Sequence, residues 1–311
     1  MLNRNILVVS LLMIVLIFFA CGKREPVAPE LPQNEEVVAL SKEGGSALEA
    51  AVRALVEDAN ARLEVEGSNY WIERAFYYTA SHEVGRTVYF DDRTKQLSLH
   101  FVPGDPRRYV GDNMDIAYMV DQRKKEASNL PIAVTTAAID RAMATWDGVD
   151  CSTIPITRLP NIRRFNLGFA AGGFPAFILG ADITHAGWIF LPPPILGVAI
   201  PYVWIDDSGN YTDINNDGKI DVAFWEIYYS NAYTWADDGV SNIDVETVAL
   251  HEAGHGLDQG HFGGLFRTEA NGKFHFDPRA VMNAGYTGPQ RSLTGTDIGG
   301  HCSIWGSWPN N

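Results

Sequence analysis

Positive charge is scarce in this sequence. Its 311 residues contain 24 lysines and arginines against 38 aspartates and glutamates, which gives a net charge of −14. An acidic surface argues against binding to nucleic acid and against a basic membrane-binding patch, because both partners are negatively charged. The remaining composition, 46% hydrophobic and 20% charged, is that of a globular protein long enough for one large domain or two modest ones.

The N-terminal apolar segment is too short for a comfortable membrane span. It covers fourteen residues, from Ile6 to Phe19, whereas a helical span takes ~20. Arg4 precedes it and Ala20-Cys21 follows it, a pattern that predicts a signal peptide over residues 1–20 and export of the mature chain. The cysteine makes this segment resemble a bacterial lipoprotein signal, which implies a lipid anchor on Cys21 and a location in the cell envelope, at the outer membrane or the cell surface. The alternative is an ordinary signal peptide with a chance cysteine.

Cysteine is also scarce, with three in the whole chain. If Cys21 carries a lipid, only Cys151 and Cys302 remain. Disulfides persist in exported proteins, so we predict that these two cysteines form a bridge. The alternative is two buried free thiols, which behave as small hydrophobic residues.

The composition divides the mature chain into three parts. Residues 21–45 are rich in Pro, Glu, Gly and Ser, which predicts a flexible tether. Residues 46–108 predict a small α+β region, with a helix that begins at a capping box at Ser46 and a hairpin over residues 86–102. From residue 111 to residue 311 strands and helices alternate, which favours an α/β sheet with packed helices.

The strongest chemical signal is the pattern His251-Glu252-Ala253-Gly254-His255, followed by His261. On a helix, residues four apart lie on one face, so His251 and His255 can bind one metal ion. Catalytic zinc takes three protein ligands of this type and keeps one position for water. The pattern therefore predicts a zinc site made by His251, His255 and His261, with Glu252 as the general base for the water. The chain must turn sharply between His255 and His261, and Gly256 and Gly260 allow that turn.

These residues resemble the zinc-binding motif of the metzincin metallopeptidases, and within that clan the matrixins. The chain departs from the motif at Asp258, where the clan has a glycine with positive φ; aspartate tolerates that conformation better than most residues. A second resemblance is the segment 281–286, which is similar to the clan's methionine turn. It implies that Met282 lies beneath the metal ligands and that Tyr286 lies near the wall of the pocket for a substrate side chain.

The resemblance covers residues 111–311 and implies the fold. We expect a twisted, mostly parallel sheet with one antiparallel edge strand and packed helices, preceded by the small α+β region. An extended peptide would then bind by adding to the edge strand. The cysteine that silences many matrixin precursors is absent, so the resemblance does not give the mode of control.

A weaker metal signal lies in residues 213–221. Oxygen-bearing side chains occupy positions 1, 3, 5 and 9 of a calcium-type loop, and Gly218 occupies position 6. The calcium ligands expected from this pattern are Asp213, Asn215, Asp217 and Asp221. The alternative is a solvated acidic turn, since position 12 is Phe224 rather than glutamate.

Three functions fit this sequence. The leading one is a lipid-anchored zinc endopeptidase that hydrolyses peptide or protein substrates through a water on the zinc ion. The second is a binding or adhesion lipoprotein that keeps the fold with weak or no catalysis, although Glu252 beside the ligands favours an enzyme. The third is a self-processing protein in which residues 46–108 act as an inhibitory prosegment.

Overall fold

The computed structural model describes residues 42–80, 84–91, 97–108, 113–121, 129–160, 166–241 and 243–310. The expected signal peptide, the lipidation site Cys21 and most of the expected tether lie outside these residues. Within the described ranges, no helix combines the length and the apolar character needed to cross a membrane.

The described residues form five helices and fourteen strands. The helices are α1 (Lys42–Glu66), α2 (Ile132–Asp147), α3 (Ala176–Leu179), α4 (Val245–Gly256) and α5 (Gly295–Trp305). The first seven strands are β1 (Tyr70–Trp71), β2 (Arg74–Ala80), β3 (Arg86–Tyr89), β4 (Leu99–His100), β5 (Ile116–Val120), β6 (Ile156–Arg158) and β7 (Ile183–Ile189). The others are β8 (Ile195–Trp204), β9 (Ile220–Ser230), β10 (Trp235–Ala236), β11 (Ile243–Asp244), β12 (Gly264–Arg267), β13 (Phe274–Asp277) and β14 (Gly285–Tyr286).

One large mixed sheet organises these elements. Its main order is β14-β2-β8-β9-β7-β5-β6, and β1, β3 and β4 pair with β8, β2 and β9 respectively. Strands β6, β5, β7 and β9 are parallel to their neighbours in this core, whereas β8 is antiparallel to β9. The fold is therefore mixed α/β, with a mostly parallel core and an antiparallel side.

The sheet continues beyond the antiparallel strand β8. Strand β2 pairs with β8 in antiparallel orientation, and β14 adds to β2 in parallel. The strands of the predicted small α+β region, β1 to β4, all belong to this large sheet. Long-range strand pairing of this kind leaves no local mark in the sequence.

The N-terminal helix and hairpin also differ from the sequence predictions. Helix α1 begins at Lys42, so Ser46 lies inside the helix and residues 42–45 do not belong to a tether. The sequence did not predict this first turn because residues 44 and 45 are glycines, and glycine is a poor helix former. The hairpin is formed by β2 and β3, and the strand after it, β4, pairs in parallel with β9.

Both faces of the sheet are covered by apolar side chains. Residues of α2, α4 and α5 pack on one face, and residues of α1 and α3 pack on the other. Strand β2 contributes to both layers, because side chains alternate along a strand: Phe76 and Tyr78 belong to the first layer, Ala75 and Tyr77 to the second. A disulfide between Cys151 and Cys302, with the Cα atoms 5.7 Å apart, joins the segment after α2 to α5.

Candidate metal centre

Helix α4 carries two of the three predicted metal ligands. Its start is fixed by Asp244, whose carboxylate accepts hydrogen bonds from the backbone N–H of Thr247 (3.0 Å) and from its hydroxyl (2.7 Å). Arg291 pairs with the same carboxylate at 2.6 Å. The helix is buried along its whole length beneath the sheet, so His251 and His255 lie in the interior.

The chain reverses direction directly after α4. Asp258 adopts a positive φ of 64°, and its N–H donates to the carbonyl of His255 at 2.8 Å. The sequence predicted this left-handed residue at the position where the metzincin motif has glycine. The turn returns His261 to the helix, with its imidazole beside those of His251 and His255.

The three imidazoles converge on one point. The Nε2 atom of His261 lies 3.2 Å from Nε2 of His251 and 3.1 Å from Nε2 of His255. The other nitrogen, Nδ1, of His251 donates to the carbonyl of Val281, and that of His255 donates to the carbonyl of Gln259, both at 2.7 Å. These bonds fix each ring so that the lone pair of Nε2 is directed at the common point.

The surroundings favour the neutral form of these histidines, which is the form that binds a metal. Burial, and secondly the neighbouring imidazoles, lower the pKa of His251, His255 and His261 well below the usual range. Neutral imidazoles with facing lone pairs repel one another, and a cation between them removes that repulsion. The three histidines form the one group of at least three His, Cys, Asp or Glu side chains, among those the structure describes, whose ligand atoms lie close enough to share a metal. Three nitrogen donors are typical of catalytic zinc.

Glu252 lies beside the ligands in an unusual environment for a carboxyl group. It is fully buried, and neither of its carboxyl oxygens has a hydrogen-bond partner within the described ranges. Burial raises the pKa of Glu252 well above its usual range. A buried carboxyl without a partner costs free energy, and groups of this kind concentrate at functional sites.

Met282 packs against helix α4, which carries two of the predicted ligands. A Cβ atom added to Gly254 of α4 would come within 2.3 Å of the sulfur of Met282. The turn around Met282 is held by Asp297 in the first turn of α5, whose carboxylate accepts from the N–H groups of Val281 (3.0 Å) and Met282 (3.1 Å). Helix α5 therefore supports the turn around Met282, which packs against α4.

The carboxylate of Asp258 has a structural task of its own. It accepts from the indole N–H of Trp225 at 3.1 Å and lies 3.1 Å from Nδ1 of His100. Because His100 belongs to β4 and Trp225 to β9, this side chain ties the turn after α4 to the sheet. A glycine at this position could not make these bonds.

Two aromatic rings of β2 cover the histidines. The ring of Tyr78 stacks on His251, with centroids 3.8 Å apart and planes 12° apart, and Phe76 stacks on His255 at 4.4 Å and 24°. The sequence analysis assigned no chemistry to the region that contains these residues, and nothing in their local pattern signals this contact. The site is therefore complete but closed to solvent above His251 and His255, which are fully buried.

Tyr286 lies next to this cover. It belongs to β14 and pairs with Ala80 of β2, and its hydroxyl accepts from the N–H of Asp244 at 3.0 Å. Its ring packs edge-on against Tyr78, with centroids 6.3 Å apart. The residue expected near the wall of a substrate pocket is thus in contact with β2.

The calcium site at residues 213–221 stays a prediction, and its carboxylates have protein partners in the structure. Asp221 is bound by Arg107, at 2.7 Å, and by the hydroxyl of Thr212, at 2.6 Å. Asp213 accepts from the N–H groups of residues 217 and 218, and Asp217 from that of Lys219, so their carboxylates close the turn. Among the His, Cys, Asp and Glu side chains that the structure describes, these carboxylates do not belong to a group whose ligand atoms lie close enough to share a metal.

Comparison with known proteins adds no assignment. No protein-family model matches this sequence, and no curated protein matches it. The chemistry of the site must therefore be argued from its own residues.

Proposed function

We propose that this protein is a zinc-dependent endopeptidase, similar to the matrixins of the metzincin clan. The observation that carries the proposal is the convergence of three imidazoles beside the buried and unpartnered carboxyl of Glu252, with Nε2 of His261 3.2 Å from that of His251 and 3.1 Å from that of His255. The order β6-β5-β7-β9-β8, with β8 antiparallel, supports it as well, because the resemblance implied a mostly parallel sheet with one antiparallel strand.

The zinc ion would be held by His251, His255 and His261. When bound, such an ion supplies a Lewis acid that polarises a peptide carbonyl and makes water more acidic. The hydrogen bonds from Nδ1 of His251 and His255 to backbone carbonyls keep both rings in the tautomer that leaves Nε2 free.

Glu252 would act as the general base. The cation would favour its ionised form and so oppose the effect of burial on its pKa. A carboxylate oxygen of Glu252 can then accept a proton from water and pass it to the nitrogen of the leaving amine. Exclusion of solvent by the sheet above α4 strengthens these electrostatic effects.

We further propose that the protein is exported and anchored to the cell envelope through a lipid on Cys21. The N-terminal sequence supports this, with its short apolar segment before Cys21. The disulfide between Cys151 and Cys302 is consistent with an oxidising compartment.

A second function is favoured by one observation. The rings of Phe76 and Tyr78 cover the site, as expected for a binding or adhesion protein that keeps the metal without hydrolysing peptides. The two functions differ in what Glu252 does, since a binding protein needs no base.

The deciding experiment is hydrolysis of an unstructured protein, such as casein, by zinc-loaded residues 21–311. We expect the Glu252→Gln variant to lose activity by ~10²–10⁴-fold, the usual contribution of general-base catalysis. The same assay is run with the Tyr78→Ala variant, in which the cover is reduced. If neither the parent nor Tyr78→Ala hydrolyses casein while fully loaded with zinc, the binding function replaces the peptidase.

A further inference from the structure

The metal centre is closed by a strand of the same chain. His251, Glu252 and His255 are fully buried, whereas His261 is partly exposed. The rings of Tyr78 and Phe76 lie directly on His251 and His255, and Phe76 also meets the ring of His261 edge-on, with centroids 6.0 Å apart. No peptide chain can reach these histidines while the two rings are in place.

The same strand fills the position that an extended peptide would need. Strand β2 pairs with β8 so that Tyr78 lies opposite Gly197 and Phe76 opposite Ala199. On its other side Thr79 lies opposite Gly285 of β14. The backbone groups of β8 and β14 that could bind a substrate strand are therefore already paired with β2.

The geometry of β2 is that of a blocking strand rather than of a peptide ready for hydrolysis. Successive side chains of a strand point to opposite faces, so Phe76 and Tyr78 both face the metal centre. The planes of Tyr78 and His251 are 12° apart, so the face of the tyrosine ring rests on the imidazole. The aromatic rings of β2 therefore lie against His251 and His255.

The supports of the metal ligands lie outside β2. The three histidines belong to α4 and to the turn after it, and their supporting carbonyls come from Val281 and Gln259. The Cys151–Cys302 disulfide joins two segments that do not include β2. Strand β2 itself is held by pairing with β3, β8 and β14 and by the packing of Ala75 and Tyr77 on the α1 side of the sheet.

We propose that β2 is an autoinhibitory strand and that the structure shows a latent form of the protein. Displacement of β2 from β8 and β14 opens the metal centre and frees the backbone groups that bind substrate. This inference rests on the proposed function, because inhibition has meaning only if the site acts on peptides. The shielding of the metal can nevertheless be measured without any hydrolysis.

The test compares the zinc-loaded parent with the double variant Phe76→Ala/Tyr78→Ala. The first readout is the rate at which the chelator pyridine-2,6-dicarboxylate extracts zinc, and the second is the rate of casein hydrolysis. We expect both rates to rise by at least about tenfold in the double variant, since a larger open fraction raises the apparent rate in proportion. Tyr78→Phe is the matched control, because it keeps the ring and should match the parent in both assays.

The outcomes separate the two proposals. Faster extraction with no hydrolysis by parent or variant supports shielding by β2 and overturns the peptidase function. Hydrolysis at equal rates by parent and double variant, with equal zinc extraction, overturns the autoinhibitory strand and leaves the peptidase standing. If the double variant fails to fold, Tyr78→Leu removes the stacked ring but keeps an apolar side chain, and unchanged rates in that variant contradict the proposal.

Discussion

Gly197 of β8 lies directly against the carboxyl group of Glu252. A Cβ atom at position 197 would come within 2.3 Å of Oε1 of Glu252 and within 2.8 Å of its carboxyl carbon. The absence of a side chain at 197 therefore creates the space in which this buried carboxyl sits. The contact joins the antiparallel strand β8 to the helix that carries the metal ligands.

Gly197→Ala should displace Glu252 without disturbing the metal. The added methyl group overlaps the carboxyl, so the side chain must move from its position beside the histidines. A misplaced catalytic group of this kind costs ~10²-fold in rate. We expect casein hydrolysis to fall by about that factor, while the zinc content measured by atomic emission stays the same. Gly299→Ala is the control, because an added Cβ there meets no atom within 4 Å beyond its own stretch of chain. Equal rates of hydrolysis for Gly197→Ala and the parent would show that the contact between Gly197 and Glu252 does not matter for activity.

Gly254→Ala should destabilise the protein through the methionine beneath the site. The new Cβ would lie 2.3 Å from the sulfur of Met282 and 3.0 Å from the ring of Trp146. Overpacking of this kind costs ~1–3 kcal/mol of unfolding free energy, measured by urea denaturation. The double variant Gly254→Ala/Met282→Ala should be more stable than the sum of the two single effects, because each change relieves the other. If the two single effects on the unfolding free energy simply add, the side chains at positions 254 and 282 are not in contact.

Asp258→Gly should lower stability even though it restores the glycine of the metzincin motif. Glycine would relieve the positive φ of 64°. It would also remove the carboxylate that Trp225 and His100 contact at 3.1 Å. Loss of a buried hydrogen-bond acceptor lowers the free energy of unfolding by ~1–3 kcal/mol. This loss is larger than the gain from relieving the positive φ. Asp258→Asn, which keeps an oxygen acceptor and tolerates the same φ, should lie between the parent and Asp258→Gly. A variant Asp258→Gly as stable as the parent in urea denaturation would contradict this assignment.

His185 should make the stability of the protein depend on pH. Burial, and secondly the charge of Arg158, lower the pKa of His185 from 6.5 to about 3, and its Nδ1 lies 2.7 Å from the hydroxyl of Tyr229. Below pH 6.5 the unfolded chain binds a proton there and the folded chain does not, so stability is lost as the pH falls. The difference in unfolding free energy between the parent and His185→Gln should shrink by ~2 kcal/mol between pH 7 and pH 5. Both proteins are measured without metal, so the three ligand histidines contribute equally. A constant difference across this range would show that His185 is protonated in the folded protein.

Local spacing was sufficient to predict that the three histidines come together. The convergence of His251, His255 and His261 depends on helical periodicity and on one sharp turn, both of which are encoded within eleven residues. The positive φ of Asp258 followed from the resemblance, because the metzincin motif has a glycine with positive φ at this position. The Cys151–Cys302 pairing needed only the count of cysteines and the expectation of export.

Contacts between distant segments could not be predicted in this way. Strand β8 was missed because Gly197 and Pro201 interrupt its apolar pattern and proline seldom occurs in central strands. The cover of Phe76 and Tyr78 over the histidines depends on the pairing of β2 with β8, more than a hundred residues away. The ion pair of Asp221 with Arg107, which lies outside the loop at residues 213–221, could not be predicted from the loop pattern either.

Zinc content per chain tests the central claim most directly. The parent, Glu252→Gln and His255→Ala are purified in the presence of zinc, dialysed, and analysed by inductively coupled plasma mass spectrometry. We predict about one zinc ion per chain in the parent and in Glu252→Gln, since three ligands suffice for a catalytic site and Glu252 is not one of them. We predict loss of the ion in His255→Ala, because two imidazoles do not complete the site. A parent without zinc, or a His255→Ala variant that retains it fully, would contradict a zinc centre formed by His251, His255 and His261.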